Sequence, residues 1–446
     1  MVLVQSSKLS IPPLLPHATS LLFEPNSLSL ALLHSDSSIS LFPSFSSSPL
    51  PLQPQILIPS PSSSSTFLLL QSHKNPNPTV VFLVAGPHKG GSQVLFRFYI
   101  LQKSNLFSKA QVVCNQKGLC FDPKFGALVD VNHGVSVRIV GSTNFFVMYS
   151  VSSKKLCVFA VKLIGDGDGD VVKLMRCAVV ECCVPVSTMS LSYGFLILGE
   201  DNGVRIFSLR QLVKGKAKIK NLKLNRNLDL NGKLDTKGIR LPNGVIGNDT
   251  RCRLASENDL TVASDGKNEK DCPSVKQRSL KCRQYSVEGG ACFVAFQRKE
   301  AESLKSTIIK TISIQALSSK KFIILDSNGD LHILSVSIPI GGSNIASNMM
   351  QLHHSMSAQK MAVIPDVPSS KTFWISDGFY SVHVMNAPDT DAAVNNTDGD
   401  GNQEKLTDIS VIGAIFTGEK IQDLVPLAAN SILILGKGTL YSYAIS

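Results

Sequence analysis

The chain has 446 residues, 43% hydrophobic and 17% charged: enough apolar material for one large core or two ordinary ones, and too little charge for a polyelectrolyte. The net charge of +11 is concentrated, because residues 210–286 hold eighteen Lys/Arg against eight Asp/Glu; the basic balance therefore describes one segment and argues against a nucleic-acid-binding domain. No run of 18 apolar residues marks a membrane span, and the ten cysteines include no C-x-x-C pair, so reduced thiols and no metal site are expected.

The N-terminus lacks the basic region and compact apolar core of a secretory signal. Its Ser-rich, acid-poor opening has the composition of a plastid transit peptide, but residues 1–65 contain one Lys and no Arg and already carry a strand pattern. That pattern starts with "MVLVQSS", a strand at "ATSLLFEP" and a hairpin, "LALLHSDSSISLF", turning near Asp36. The run–turn–run form recurs in "VFLVAGPHKGGSQVLFRFYI" near Gly90, "FFVMYSVSSKKLCVFAV" at Ser153, "FLILGEDNGVRIF" at Asn202 and "FIILDSNGDLHILSV" at Asn328. "TFWISDGFYSVHVM" at Gly378 and "SILILGKGTLYSYAI" at Gly438 bring the hairpins to seven. Their turns are spaced by 54, 63, 49, 126, 50 and 60 residues. The outlier contains the basic segment, and removing about 75 residues returns it to the period of a propeller blade.

A short strand precedes most hairpins, as in "VSVRIVG", "VSTMSLS", "TISIQALS", "QKMAVIP" and "IQDLVPLA". A fourth follows after a loop at "PQILIPS", "AQVVCN", "VVKLMRCAVV", "ACFVAF", "MMQLHH" and "ISVIGAIF"; the second unit is the least regular. Four antiparallel strands, seven times, predict an all-β, seven-bladed β-propeller, whose radially stacked sheets bury both faces and protect most edges. The last unit ends on its third strand at Ile445-Ser446, so Val2–Gln5 is expected to pair with Thr439–Ala444 and close the ring. Residues 1–211 then hold blades 1–4, with 1–6 closing the last blade; 212–287 is a disordered basic insert; 288–446 completes blades 4–7.

"LGEDNGVRIFSL" is similar to the turn-and-strand stretch of a WD-repeat blade, with Phe207 at the tryptophan place, and "SDSSISLF", "DSNGDLHIL" and "SDGFYSVHV" match it more loosely. The chain thus resembles a divergent WD-repeat protein, similar to plant WD-repeat-like propellers, over most of 1–211 and 287–446. Blade starts carry no Gly-His, blade ends no Trp-Asp, and the one tryptophan, Trp374, lies on a different strand. The resemblance implies a rigid platform holding several partners rather than a catalyst.

Local chemistry adds little. "GDGDGD" fails as a calcium loop, because counting from Asp166 the sixth and twelfth places hold Val171 and Cys177. His353-His354 is adjacent rather than spaced for a metal, and no nucleophile elbow, P-loop or dinucleotide fingerprint occurs. No catalytic residue, cofactor or metal is expected. Connections between third and fourth strands are long and those between second and third are short, so one propeller face is trim. That face, with Glu200, Asp201, Asn202, Asp326, Asp330 and Asp377 on its turns, is the expected binding face, and its acids suit a basic partner. The insert opens with Lys214, Lys216, Lys218, Lys220, Lys223 and Arg226, alternating with apolar residues as if extending a strand. It closes with Lys276, Arg278, Lys281 and Arg283, in the pattern of a localisation signal or an electrostatic patch for nucleic acid. The expected function is a non-catalytic protein–protein scaffold, nuclear or cytoplasmic, away from membranes, a monomer within a complex. The alternatives are an RNA- or ribosome-associated factor using the insert and, further off, a propeller enzyme with an axial site.

Overall fold

Single strands of this chain are buried on both faces, and that decides the architecture. All six residues of Phe195–Glu200 are buried. Phe195 and Ile197 pack to one side with Val204 and Phe322, while Leu196 and Leu198 pack to the other with Tyr149 and Leu191. Successive side chains of a strand point to opposite faces, so such a strand needs a sheet on each side. In the computed structural model seven sheets supply this as the blades of a β-propeller. The structure describes residues 4–9, 16–45, 53–72, 75–122, 126–131, 135–164, 171–214, 283–286, 291–296, 308–339, 344–354, 356–364, 372–387 and 409–445. They belong to one compact unit, Met1–Asn221 with Lys281–Ser446; a second, Leu222–Leu280, lies outside the described residues.

The chain starts in the last blade with β1 (Val4–Leu9) and then forms blade 1 from β2 (Ala18–Glu24), β3 (Ser29–His34), β4 (Ile39–Phe42) and β5 (Ile56–Ile58). Blade 2 is built on β6 (Ser64–Ser72), β7 (Asn75–His88) and β8 (Gln93–Leu101). Its fourth place is shared by β9 (Phe107–Lys109) and, after β10 (Gln111–Val113) and β11 (Leu119–Asp122), by β12 (Gly126–Asp130), which β11 flanks. Blade 3 comprises β13 (Val137–Ser142), β14 (Phe145–Ser150), β15 (Lys155–Ile164) and β16 (Val171–Glu181). Blade 4 has β17 (Thr188–Ser192), β18 (Phe195–Glu200) and β19 (Gly203–Ser208); helix α1 (Leu209–Lys214) and strand β20 (Arg283–Ser286) precede its outer strand β21 (Ala291–Ala295). Blade 5 is β22 (Thr311–Ala316), β23 (Lys321–Asp326), β24 (Leu331–Ser337) and β25 (Ala346–Leu352). Blade 6 is β26 (Lys360–Val363), β27 (Thr372–Ser376), β28 (Ser381–Asn386) and β29 (Ser410–Phe416). Blade 7 joins β30 (Asp423–Ala428), β31 (Ser431–Leu435) and β32 (Leu440–Ile445) to β1. The first strands of blades 1 to 7 touch in succession, and β30 returns to β2, so the ring is closed.

Closure by the N-terminus is observed, with the strand running Val4–Leu9 in a register from Val4 opposite Ile445 to Leu9 opposite Leu440; Val2 lies outside the described residues. In this register the Leu9 side chain is buried among Leu433, Leu435 and Leu440. "AQVVCN" was expected as the fourth strand of blade 2. Instead, β10 pairs in parallel with β16 of blade 3, where Val112 enters the core between the two blades and satisfies part of a long outer edge. Lys214 does not extend a strand: Leu209–Lys214 turns into a helix because Leu209 and Leu212, three apart, both reach the core between blades 3 and 4. Of the insert placed at 212–287, only residues 212–214 and the β20 backbone are described.

Seven apolar clusters fill the seven inter-blade spaces. Side-chain amides stitch neighbouring blades through backbone groups. Gln55 accepts from Phe107 N–H (2.7 Å) and donates to its carbonyl (2.9 Å). Asn144 holds Gln71 in the same way, and Gln315 holds Val363 N–H (2.6 Å) and the Met361 carbonyl (2.7 Å). Each clamp mimics a strand neighbour for backbone groups that face the next blade.

Candidate functional site

Two of the acids expected on the trim face, Glu200 and Asp326, sit in a recurring position. The second strand of six blades ends on a polar residue, namely His34, His88, Ser150, Glu200, Asp326 and Ser376, and all but His88 are buried. Several of them lock the turn that follows. His34 Nε2 meets Ser40 Oγ at 2.7 Å, and Ser376 Oγ accepts from Gly378 N–H at 3.0 Å. Glu200 takes two bonds from Arg205, Nε at 2.6 Å and Nη2 at 2.9 Å. Asp326 Oδ2 meets His332 Nε2 at 3.0 Å while Oδ1 accepts from the N–H groups of Asn328 and Asp330.

That position draws two of these acids inside, away from a recognition surface. Glu200 and Asp326 are 3% and 2% exposed, and their carboxylates are spent on their own hairpins. Asp377 is half-buried; burial pushes its carboxyl up, but the N–H groups of Phe379, Ser381 and Tyr380 and the Ser381 hydroxyl hold it below the ordinary value. Asn202, at φ 62°, ties its turn to the next blade, its N–H donating to the Ile309 carbonyl and its Oδ1 accepting from Ile309 N–H. The Asp201 backbone forms an isolated antiparallel β-bridge with Lys310 in the same seam. Gly203 follows because a β-carbon there would overlap the Val294 carbonyl of β21. Asp330 is half-buried beside His354, whose imidazole burial pushes down and Asp330 partly restores. Burial drives the Cys182 thiol up to about 12, which removes it as a nucleophile at neutral pH.

A different feature of the same face is open. The blade 6 turn presents Phe379 and Tyr380, 47% and 53% exposed, and Phe416, 76% exposed, stands opposite Ser381 beside them. Thr417 N–H donates to the Tyr380 carbonyl and Ile421 N–H to that of Phe379, so the turn is fixed to the segment leading into blade 7. Lys420 Nζ lies 5.1 Å from the centre of the Phe379 ring. The adjoining outer strand adds Val411 and Ile412, both exposed. The signal for this patch was present as consecutive aromatics in "SDGFYSVHV" and a strand without charge in "ISVIGAIF".

The central channel contains a cavity of about 450 Å³ bounded by β2, β22, β26 and β30. Two of its polar side chains join blades: Gln315 as above, and Asp423 Oδ2, which accepts from Ser20 Oγ (2.6 Å) and Leu21 N–H (2.8 Å). Of the basic residues, Lys214 is exposed at the end of α1, and Arg283 opens β20, which pairs in parallel with β16 at Ala178. Lys216, Lys218, Lys220, Lys223, Arg226, Lys276, Arg278 and Lys281 lie outside the described residues. Among the described residues no group of three His, Cys, Asp or Glu side chains is placed to hold a metal, and no helix is long and apolar enough to cross a membrane.

No protein-family model matches the chain, and no curated protein matches it. Solved structures similar to it include the Cps50 (Swd1) β-propeller domain of Myceliophteria thermophila, at 9% identity and a TM-score of 0.47, over 99% of this chain and 100% of that one. U3-55K is similar at 7% identity and a TM-score of 0.48, over 98% of each chain. The RRP9 WD40 repeats are similar at 7% identity and 0.47, over 100% of each. The seven-bladed propeller expected from the recurring hairpins is the fold observed, and it rests on the strand pairing itself.

Proposed function

We propose that this propeller is a non-catalytic platform that holds a protein partner on the rim of blade 6. The observation that carries the reading is the cluster of Phe379, Tyr380 and Phe416, three large side chains exposed together on a turn whose backbone is fixed by the Asp377 carboxylate and by the bonds from Thr417 and Ile421. Exposed aromatics on a rigid support lose little freedom on binding and are the residue types that dominate interface energetics. Partner recovery on the intact protein tests it: Tyr380→Ala with Phe416→Ala should reduce recovery with the melting temperature unchanged, and undiminished recovery would refute it.

A second reading, a nuclear or RNA-associated factor, is favoured by the basic composition of residues 210–286. It requires salt-dependent retention on nucleic acid that disappears when residues 216–281 are removed. The deletion should spare Leu212, which is core.

A further inference from the structure

The outer edges of the blades are unequally covered. The edge of blade 3 is sealed by this chain: β10 pairs with Val171–Lys173 and β20 with Ala178–Glu181. In the gap between them the Gln116 side chain accepts from Arg176 N–H (2.6 Å) and donates to its carbonyl (3.2 Å). The edge strand of blade 7, β1, carries the exposed Lys8, and that of blade 1, β5, is three residues long. Charge, shortness and cover are the devices by which natural sheets keep their edges from pairing.

Among the described residues blade 6, like blade 5, has none of these three, and its outer strand is interrupted only by a bulge at Ile412, where the register against Val384 and Met385 shifts. Its outer strand β29, Ser-Val-Ile-Gly-Ala-Ile-Phe, runs seven residues without a charge or a proline and ends its sheet. Among the described residues no strand pairs with its outer side. Val411, Ile412 and Phe416 are 52%, 42% and 76% exposed along it. From Gly413 to Phe416, where the register is unbroken, such an edge presents a row of backbone donors and acceptors together with apolar contacts, the combination that recruits an extended peptide.

The surroundings specify the peptide's charge. At the Phe416 end, Lys420 stands over Phe379. Lys437, in the turn between β31 and β32, and Lys8, opposite Tyr441, are both exposed. Glu419 joins these pieces, accepting from the Thr439 hydroxyl and, at 3.1 Å, from the Tyr441 hydroxyl. Against these three lysines stand two carboxylates, Glu419 and Asp377, both already bonded within the fold, so the margin favours an anion.

Resting on the reading of blade 6 as the partner site, we infer that the partner adds an extended segment to β29 as a fifth strand, with apolar side chains at alternate positions and an acidic residue at the end lying beside Phe416 and Lys420. The partner charge is thereby opposite to that suggested by the acids of the turns.

The probe is a phage-displayed library of random octapeptides selected on the intact protein, with the binders then synthesised. Selected peptides should alternate apolar residues and carry Asp or Glu at one end. N-methylation of the peptide backbone should weaken binding roughly tenfold or more at every second amide and little between, because only alternate N–H groups of an added strand face the edge. Val411→Lys and Phe416→Lys, at exposed positions, should weaken binding to a similar degree, and Lys420→Glu should select against the acidic end. If methylation acts equally at all positions while Phe416→Lys abolishes binding, strand addition is wrong and the blade 6 site stands. If no peptide is selected, or the β29 variants bind like the parent, both fail. Dimerisation in sedimentation velocity that Val411→Lys abolishes would assign the edge to a second copy and overturn the inference.

Discussion

The Glu200–Arg205 pair separates a structural acid from a recognition acid, and its energetics can be worked from its burial. Glu200 is 3% exposed and the Arg205 side chain 20%, with two bonds between them and the guanidinium 5.3 Å from the Phe293 ring centre. Arg205→Ala leaves a carboxylate buried without its partner and should cost about 3–5 kcal/mol. Glu200→Ala leaves a cation that already reaches solvent, so its cost should be smaller, about 1–3 kcal/mol. Replacing both, as Glu200→Leu with Arg205→Met, removes the charges together and should return to within about 1–2 kcal/mol of the parent. Urea unfolding followed by fluorescence supplies the measurement, since Trp374 is the only tryptophan and is fully buried between blades 6 and 7. An Arg205→Ala cost below about 0.5 kcal/mol would refute the structural assignment. So would a folded double variant that no longer recovers its partner, which would return Glu200 to the binding surface.

Ring closure predicts that Leu9→Ala lowers stability by about 2–5 kcal/mol, since Leu9 is 2% exposed in the core between blades 7 and 1; an unchanged urea midpoint would show that β1 is dispensable. Burial lowers His34 and His354 below their ordinary 6.5, so the unfolded chain takes up protons first and stability should fall as pH drops from 6.5. His34→Gln should flatten that slope in denaturation between pH 6.5 and 5, and an identical slope would contradict the assignment. Asp377, held below 3.8, contributes stability that is complete above that value and is lost as pH falls through its lowered pKa. Asp377→Ala should therefore cost about 1–3 kcal/mol at neutral pH and proportionally less in strong acid; equal costs at both would count against it.

The propeller was legible because each of its hairpins writes the same signal: two apolar runs around a turn, repeated near a period of 50. The consecutive apolar residues of Phe195–Leu198 and Phe322–Leu325 revealed burial on both faces, and the clusters on either side of them are the reason. Blade 2 was less legible because its outer place is shared by β9 and β12, and because β10 spends its pairing on another blade, a long-range choice that no local pattern records. The acids illustrate the limit most clearly. In sequence, Glu200 and Asp377 look alike, as carboxylates on polar turns. Only the structure separates a residue closing the second strand, which is drawn inside to meet Arg205, from one just beyond it, which caps its own turn. The patch on blade 6 went unread because aromatic residues in a strand–turn–strand pattern are ordinarily core. Exposure of Phe416 follows from its place at the end of an edge strand.

The most direct measurement of the central claim places a photo-crosslinking phenylalanine analogue at position 416 and, in a separate protein, at position 57. Both are exposed apolar positions on outer strands, Phe416 at 76% and Leu57 at 57%, but on different blades. Irradiation of the complex as isolated should attach one partner at 416 and none at 57. Equal capture at the two positions, or a partner that co-purifies yet never crosslinks at 416, would contradict the account.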